Sequence, residues 1–123
     1  MIQLDTSFII RAMLSGTSED RTLRRWLADH RAVTLSAIAW AEFSCGPVSG
    51  QVVALVQRIV GEPLPFSAAD ATVAAMLFDK TGRRRGSLLD CMIAATALNA
   101  GDTLATSNVG DFKRFEPLGL RLA

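Results

Sequence analysis

Histidine occurs once in this sequence, at His30, and cysteine twice, at Cys45 and Cys91. The two cysteines form neither a close pair nor a zinc-type spacing, which argues against a nitrogen–sulfur metal site. A catalytic triad or a His–Cys mechanism has no supporting groups. Both cysteines fall in apolar helical contexts, where a free thiol packs as a small hydrophobe. Reduced thiols also suit a cytoplasmic address. Long hydrophobic runs are missing: no uncharged apolar stretch reaches the roughly 18 residues of a membrane span. The most apolar uncharged stretch, 43–57, is interrupted by Gly46, Pro47 and Gly50. Asp5 and Arg11 break the first helix-sized stretch too early for a secretory segment. No glycine-rich phosphate cradle is present, which disfavours a dinucleotide-binding or P-loop protein. A soluble, cytoplasmic protein without membrane association is expected.

Repeats, low-complexity segments and Pro/Gly-rich linkers are also absent. With 123 residues, half of them hydrophobic and a fifth charged, the chain suits one globular domain over 1–123. An excess of either charge is lacking too, with 13 basic residues against 12 acidic ones and a net charge of +1. If the four acids singled out below were neutralised, the remainder would carry 13 − (12 − 4) = +5. A moderately basic remainder of that kind suits a partner rich in phosphate.

What is present is an alternation of short apolar strands with helical segments. Strands are expected at Ile2–Leu4, Val33–Leu35, Thr103–Thr106 and Leu118–Leu122. Helices are expected over Ser18–His30, from Ser36 to about Cys45, over Val52–Val60, over Ala68–Lys80 and from Ser87 to about Ala100. Thr17 or Ser18, Ser36, Ser67 and Ser87 stand where N-caps belong, while Gly46-Pro47, Gly61 and Gly101 stand where helices end. Strands separated by helices imply βαβ units: an α/β fold with a central parallel sheet and helices on both faces. Ligands of such sheets bind beyond the carboxyl ends of the strands.

Acidic residues recur at those ends. Asp5 directly follows the first strand, though it equally suits the cap of a helix over Ser7–Leu14. Glu42 lies among apolar neighbours from Ala37 to Phe43, where the plain alternative is a surface-facing side chain. Asp90 completes a near capping box with Ser87, yet Ala94, Ala97 and Gly101 leave beside it a face of small side chains that another element can approach. Asp111 follows Asn108 at capping-box spacing and lies just after the strand Thr103–Thr106. Converging carboxylates repel, so a fold that gathers them either raises their pKa values or holds a cation. An all-oxygen set suits hard ions, whose chemistry is phosphoryl transfer.

Leu4-Asp5-Thr6-Ser7, Glu42 within its apolar helix, Asp90 to Ala97, and Leu104 to Phe112 resemble the successive motifs of PIN domains. In order, spacing and length they resemble in particular the VapC-type toxins of bacterial toxin–antitoxin pairs, over essentially the whole chain. The third and fourth motifs together are the specific ones. The resemblance implies a Mg²⁺- or Mn²⁺-dependent ribonuclease with Asp5, Glu42, Asp90 and Asp111 as catalytic and metal-binding acids. Thr6 or Ser7, Thr106 and Asn108 would orient those carboxylates. Some relatives carry a further acid near Asn108; the amide here can hydrogen-bond a metal-bound water but adds no charge. An RNA substrate, a cognate antitoxin and a homodimer are implied as partners.

Arg83-Arg84-Arg85 precedes the Asp90 helix and suits an RNA-phosphate clamp, with a solvated basic loop as the plain alternative. Arg24-Arg25 and Lys113-Arg114 read as exposed faces, His30 as a helix-end charge, and Trp40 as core. Val48, Val52, Val53, Leu55, Val56, Ile59 and Val60 exceed what one buried helix face needs, which makes Phe43–Phe66 the candidate docking region for an antitoxin. Two other classes stay open: a receiver-like phosphoacceptor domain, and an RNA-binding or scaffold domain without catalysis. Asp5 lacks the acidic neighbour that a receiver domain would place beside it.

Overall fold

A computed structural model describes residues 1–123. Four parallel strands, β1 (Ile2–Leu4), β2 (Val33–Thr34), β3 (Thr103–Ala105) and β4 (Arg121–Leu122), form one sheet in the order β2-β1-β3-β4. Ile2 pairs with Val33 on one side and Thr103 on the other, which centres β1. Its three residues Ile2, Gln3 and Leu4 are all buried, although alternate side chains of a strand face opposite ways. A parallel strand buried on both faces needs helices on both, and seven flank this sheet. They are α1 (Thr6–Ala12), α2 (Ser18–Ala28), α3 (Ala37–Ser44), α4 (Gly50–Val60), α5 (Ala68–Lys80), α6 (Leu88–Ala100) and α7 (Val109–Phe112). The α/β architecture read from the sequence is the one observed.

Most helix starts follow from side-chain chemistry. Thr17, Ser36, Ser49 and Ser67 each accept a backbone N–H from three residues on, satisfying a donor that the first turn leaves unpaired. Ser67 and Asp70 complete a reciprocal capping box, and α5 spans Ala68–Lys80 as expected. The cap at Ser49 starts α4 at Gly50 rather than Val52. Ser87 breaks the pattern: it caps nothing, and its hydroxyl donates to the Arg84 carbonyl at 2.7 Å. The last strand is shorter than expected because Lys113–Leu118 winds into a 3₁₀ turn containing Pro117. Cys91 is buried as expected, whereas Cys45, the residue at which α3 ends, is exposed.

One continuous core joins the sheet to the helices through Leu4, Ile9, Leu35, Phe43, Leu77, Ile93, Leu104, Phe112 and Phe115. Gln3 is the polar exception. Its amide donates to the Thr96 carbonyl at 3.3 Å and to the Asp102 carboxylate at 3.0 Å, pinning β1 beneath α6. No helix is long and apolar enough to cross a membrane.

Candidate active site

All four strands run the same way, so the segments after β1, β2 and β3 leave from one edge of the sheet. Asp5 is the first residue past β1, and its N–H extends the ladder to the Ala105 carbonyl at 2.8 Å. It occupies the N-cap position of α1, yet its side chain accepts no backbone N–H. Its Oδ2 instead accepts the hydroxyls of Ser7 at 2.7 Å and Thr106 at 2.8 Å. Only 3 % of Asp5 is exposed, so this acid is committed to a side-chain network rather than to a cap. The network closes on itself: Ser7 Oγ and Thr106 Oγ1 lie 3.2 Å apart, the Ser107 N–H donates to Ser7 Oγ, and the Asn108 N–H donates to Thr106 Oγ1. Both bonds to Asp5 fall on one oxygen.

Ser7 and Thr106 thus reach the Asp5 carboxylate through their hydroxyls, whereas the side chains of Thr6 and Asn108 make no hydrogen bond to it. The Thr6 hydroxyl donates to the Ala39 carbonyl at 3.3 Å and ties α1 to α3, one turn ahead of Glu42. Asn108 contributes its backbone N–H to Thr106 rather than its amide, which is exposed.

Asp90 lies in the first turn of α6, with 32 % of its side chain exposed. Its carboxyl is pushed up to about 6, first by burial, then by the charges of Asp5 and Asp111, against Arg114, with Glu42 adding to the rise. Glu42 and Asp111 are both exposed, on α3 and α7 respectively. The fold thus brings the fields of the other three predicted acids to bear on Asp90. It does not close them around a point, since no three lie close enough to hold one ion as the side chains stand.

Two participants escaped the sequence reading. Arg114, taken above for part of an exposed face, has a side chain only 16 % exposed, with Nη2 3.9 Å from Asp90 Oδ2. Glu19, an acid in the first turn of α2, accepts Ser107 Oγ at 2.6 Å, Arg11 Nε at 2.8 Å and Ser18 Oγ at 2.7 Å. These bonds, the Ser107 hydroxyl foremost, lower its carboxyl to about 2. Glu19 thereby anchors the 106–108 loop that supplies Thr106 to Asp5. Its pairing with Ser107 spans 88 residues, and no local pattern announces it.

Arg83, Arg84 and Arg85 are exposed just before α6. Arg83 has a positive φ of 53°, pairs with Asp79 at 3.1 Å and lies over Phe78. His30 is exposed, while Trp40 is half-buried against Phe43, as a core residue would be.

Solved structures resemble this fold over its full length. VapBC2 from Rickettsia felis, bound to a DNA fragment from its promoter, aligns at TM-score 0.78 and 25 % identity, covering 100 % of this chain and 98 % of that one. FitAcB from Neisseria gonorrhoeae aligns at TM-score 0.73 and 27 % identity, over 99 % and 96 % of the two chains. VapC20 of Mycobacterium tuberculosis, a toxin that cleaves the sarcin–ricin loop, shares the fold at TM-score 0.69 and 18 % identity, over 100 % and 98 %. No curated protein matches the chain in sequence. The PIN-domain model matches residues 2–116, which carry the strand-end acids and the loop that orients Asp5, and the chain belongs to the PIN-domain family.

Proposed function

We propose that this chain is a metal-dependent endoribonuclease, the toxin of a type II toxin–antitoxin pair, acting in the cytoplasm as a single domain over 1–123. The observation that carries the catalytic part is the convergence of three carboxylate fields, those of Asp5, Asp111 and Glu42, on half-buried Asp90. A fold that keeps such an acid beside Asp5, Asp111 and Glu42 has set a place for positive charge.

The donor chemistry fits Mg²⁺ or Mn²⁺. All four groups are carboxylates, and Mg²⁺ is commonly held by only one or two carboxylates while keeping several waters. The lack of three acids within reach of one ion is compatible with that mode. One or two of Asp5, Asp90, Glu42 and Asp111 would hold the ion directly, and the others would meet it through its waters. When bound, it would supply an activated water and stabilise charge on the scissile phosphate.

The protein's own groups prepare the reaction. Ser7 and Thr106 fix the Asp5 carboxylate before anything binds, so its orientation costs little further entropy. The 106–108 loop is in turn held through Ser107 by Glu19. Arg83, Arg84 and Arg85 would grip the RNA backbone near the start of α6, with Arg84 and Arg85 free of the Asp79 pairing that occupies Arg83.

The antitoxin reading is supported by solved relatives that are themselves toxin–antitoxin complexes. A groove of about 330 Å³ between α1, α2 and α4, lined by Met13, Leu23, Leu27, Leu55 and Ile59, offers a mainly apolar seat. Leu55 and Ile59 belong to the docking region expected from the sequence, whereas Val56 and Val60 turn into the protein's own core. A homodimer completes the proposed assembly. The deciding experiment incubates purified protein with structured RNA in Mg²⁺, in Mn²⁺ and in chelator. Cleavage that requires the ion and disappears in Asp90→Asn is expected. RNA binding without cleavage under every ionic condition would favour a non-catalytic RNA-binding domain instead.

A further inference from the structure

Arg114 occupies an unusual position for a cation. It follows the helix that carries Asp111, and its guanidinium lies 4.6 Å from the Phe115 ring centroid. Nε and Nη2 are shielded from solvent, yet neither has a hydrogen-bond acceptor. The Cys91 thiol is adjacent and is a weak partner at best. Buried donors are nearly always paired, and leaving them unpaired is unfavourable. The 3.9 Å separation from Asp90 is too long for a hydrogen bond, so what holds the two together is charge.

That pair is the only ion pair made by any of the four acids. Arg114 is therefore the internal counter-charge of the cluster. Resting on the metal-site reading above, we infer that Arg114 is a positioning residue that holds Asp90 in the metal-free protein and weakens divalent-ion binding by competing for that carboxylate. A divalent ion at Asp90 brings two positive charges to a carboxylate already paired with one. The guanidinium must yield Asp90 or repel the arriving ion. Its incomplete hydrogen bonding leaves little else to hold it to Asp90.

The test is a calorimetric titration of Mn²⁺ into chelator-stripped protein, paired with thermal unfolding with and without the ion. Arg114→Met removes the charge while keeping a long side chain. It should bind Mn²⁺ at least roughly three-fold more tightly, because one opposing charge within several ångströms of the ion is lost, and shielding from solvent strengthens that effect. It should also melt lower in chelator and gain more from Mn²⁺ than wild type does. Lys113→Met changes net charge equally from an exposed neighbour and should leave affinity within about two-fold, because exposed charges are screened. Arg114→Lys keeps the charge and should stay near wild type. Should Arg114→Met fail to fold, Arg114→Gln carries the same comparison. Equal affinities for the neutral Arg114 variant and Lys113→Met, with wild type binding normally, would overturn the role of Arg114 alone. No Mn²⁺ binding by wild type would instead overturn the metal site, and this inference with it.

Discussion

Replacing Asp90 by asparagine removes one negative charge at nearly constant shape, so its effect on stability measures the field at that position. The folded carboxyl is pushed up to about 6, from the 3.8 of an ordinary aspartate that describes the unfolded chain. Between those values the unfolded chain has lost its proton while the folded protein keeps it, so stability falls as pH rises from about 4 to about 6. Above that window the whole penalty is present. That rise corresponds to roughly 3 kcal/mol, and screening at a side chain 32 % exposed reduces this to ~1–2 kcal/mol. The net shift already contains the opposing attraction of Arg114. Asp90→Asn should therefore raise the melting temperature at pH 7.5 in chelator by about 3–10 °C, with most of the gain gone by about pH 4. Excess Mg²⁺ should stabilise wild type and narrow the gap, contributing about 1.4 kcal/mol at tenfold its dissociation constant. The variant should at the same time lose RNA cleavage. Thermal unfolding by circular dichroism across pH, with and without Mg²⁺, reads the stability changes, and an RNA cleavage assay reads the loss of activity. A variant that melts lower than wild type at pH 7.5 in chelator, or whose shift ignores pH, would refute the electrostatic argument and make Asp90 a structural acid.

Loss of the Glu19–Ser107 bond should act on the Asp5 network from a distance. Glu19→Gln is expected to lower stability at neutral pH, and the difference from wild type should fade as pH falls from about 4.5 towards about 2, the window over which the native carboxylate is protonated. A stability difference independent of pH would assign the effect to packing. Removing either hydroxyl, by Ser7→Ala or Thr106→Val, should reduce the rate of cleavage by tenfold or more with a small change in KM for RNA, because orientation rather than binding is lost; single-turnover kinetics separates the two. Arg83, Arg84 and Arg85 changed together to Gln should weaken RNA binding and flatten its dependence on salt, since fewer counterions are released. An unchanged salt slope in a filter-binding titration would leave the loop a solubility feature. Wild type expressed without an antitoxin should arrest growth while Asp90→Asn does not, and equal toxicity from both would separate toxicity from nuclease chemistry.

Much of the fold was readable along the chain because its causes are local. Ser36, Ser67 and Gly101 stand within a few residues of the donors and carbonyls that they satisfy, and α5 falls where its cap and apolar spacing place it. Alternation of strand and helix was enough for a parallel sheet, and a parallel sheet is enough to bring the segments after its strands to one edge. Asp5 was therefore a reasonable candidate from its position alone. Where two local roles competed, the chain could not choose between them. Ser87 and Asp90 have capping-box spacing, but the Ser87 hydroxyl turns to Arg84 and leaves Asp90 to its charged neighbours.

The sequence by itself determined the period of each element, the stock of charges, and the strand ends at which the acids emerge. Tertiary structure alone decided that Thr106 donates to Asp5 across 101 positions, that Glu19 holds Ser107 across 88, and that Arg114 leaves the surface to face Asp90. Capping and periodicity act over one or two helical turns, so they leave a mark on neighbouring residues. Hydroxyl-to-carboxylate bonds and the pairing of Arg114 with Asp90 depend on which strands lie side by side. That arrangement exists only once β3 has crossed over to pair with β1, because only then does the loop after β3 reach the carboxylate that follows β1.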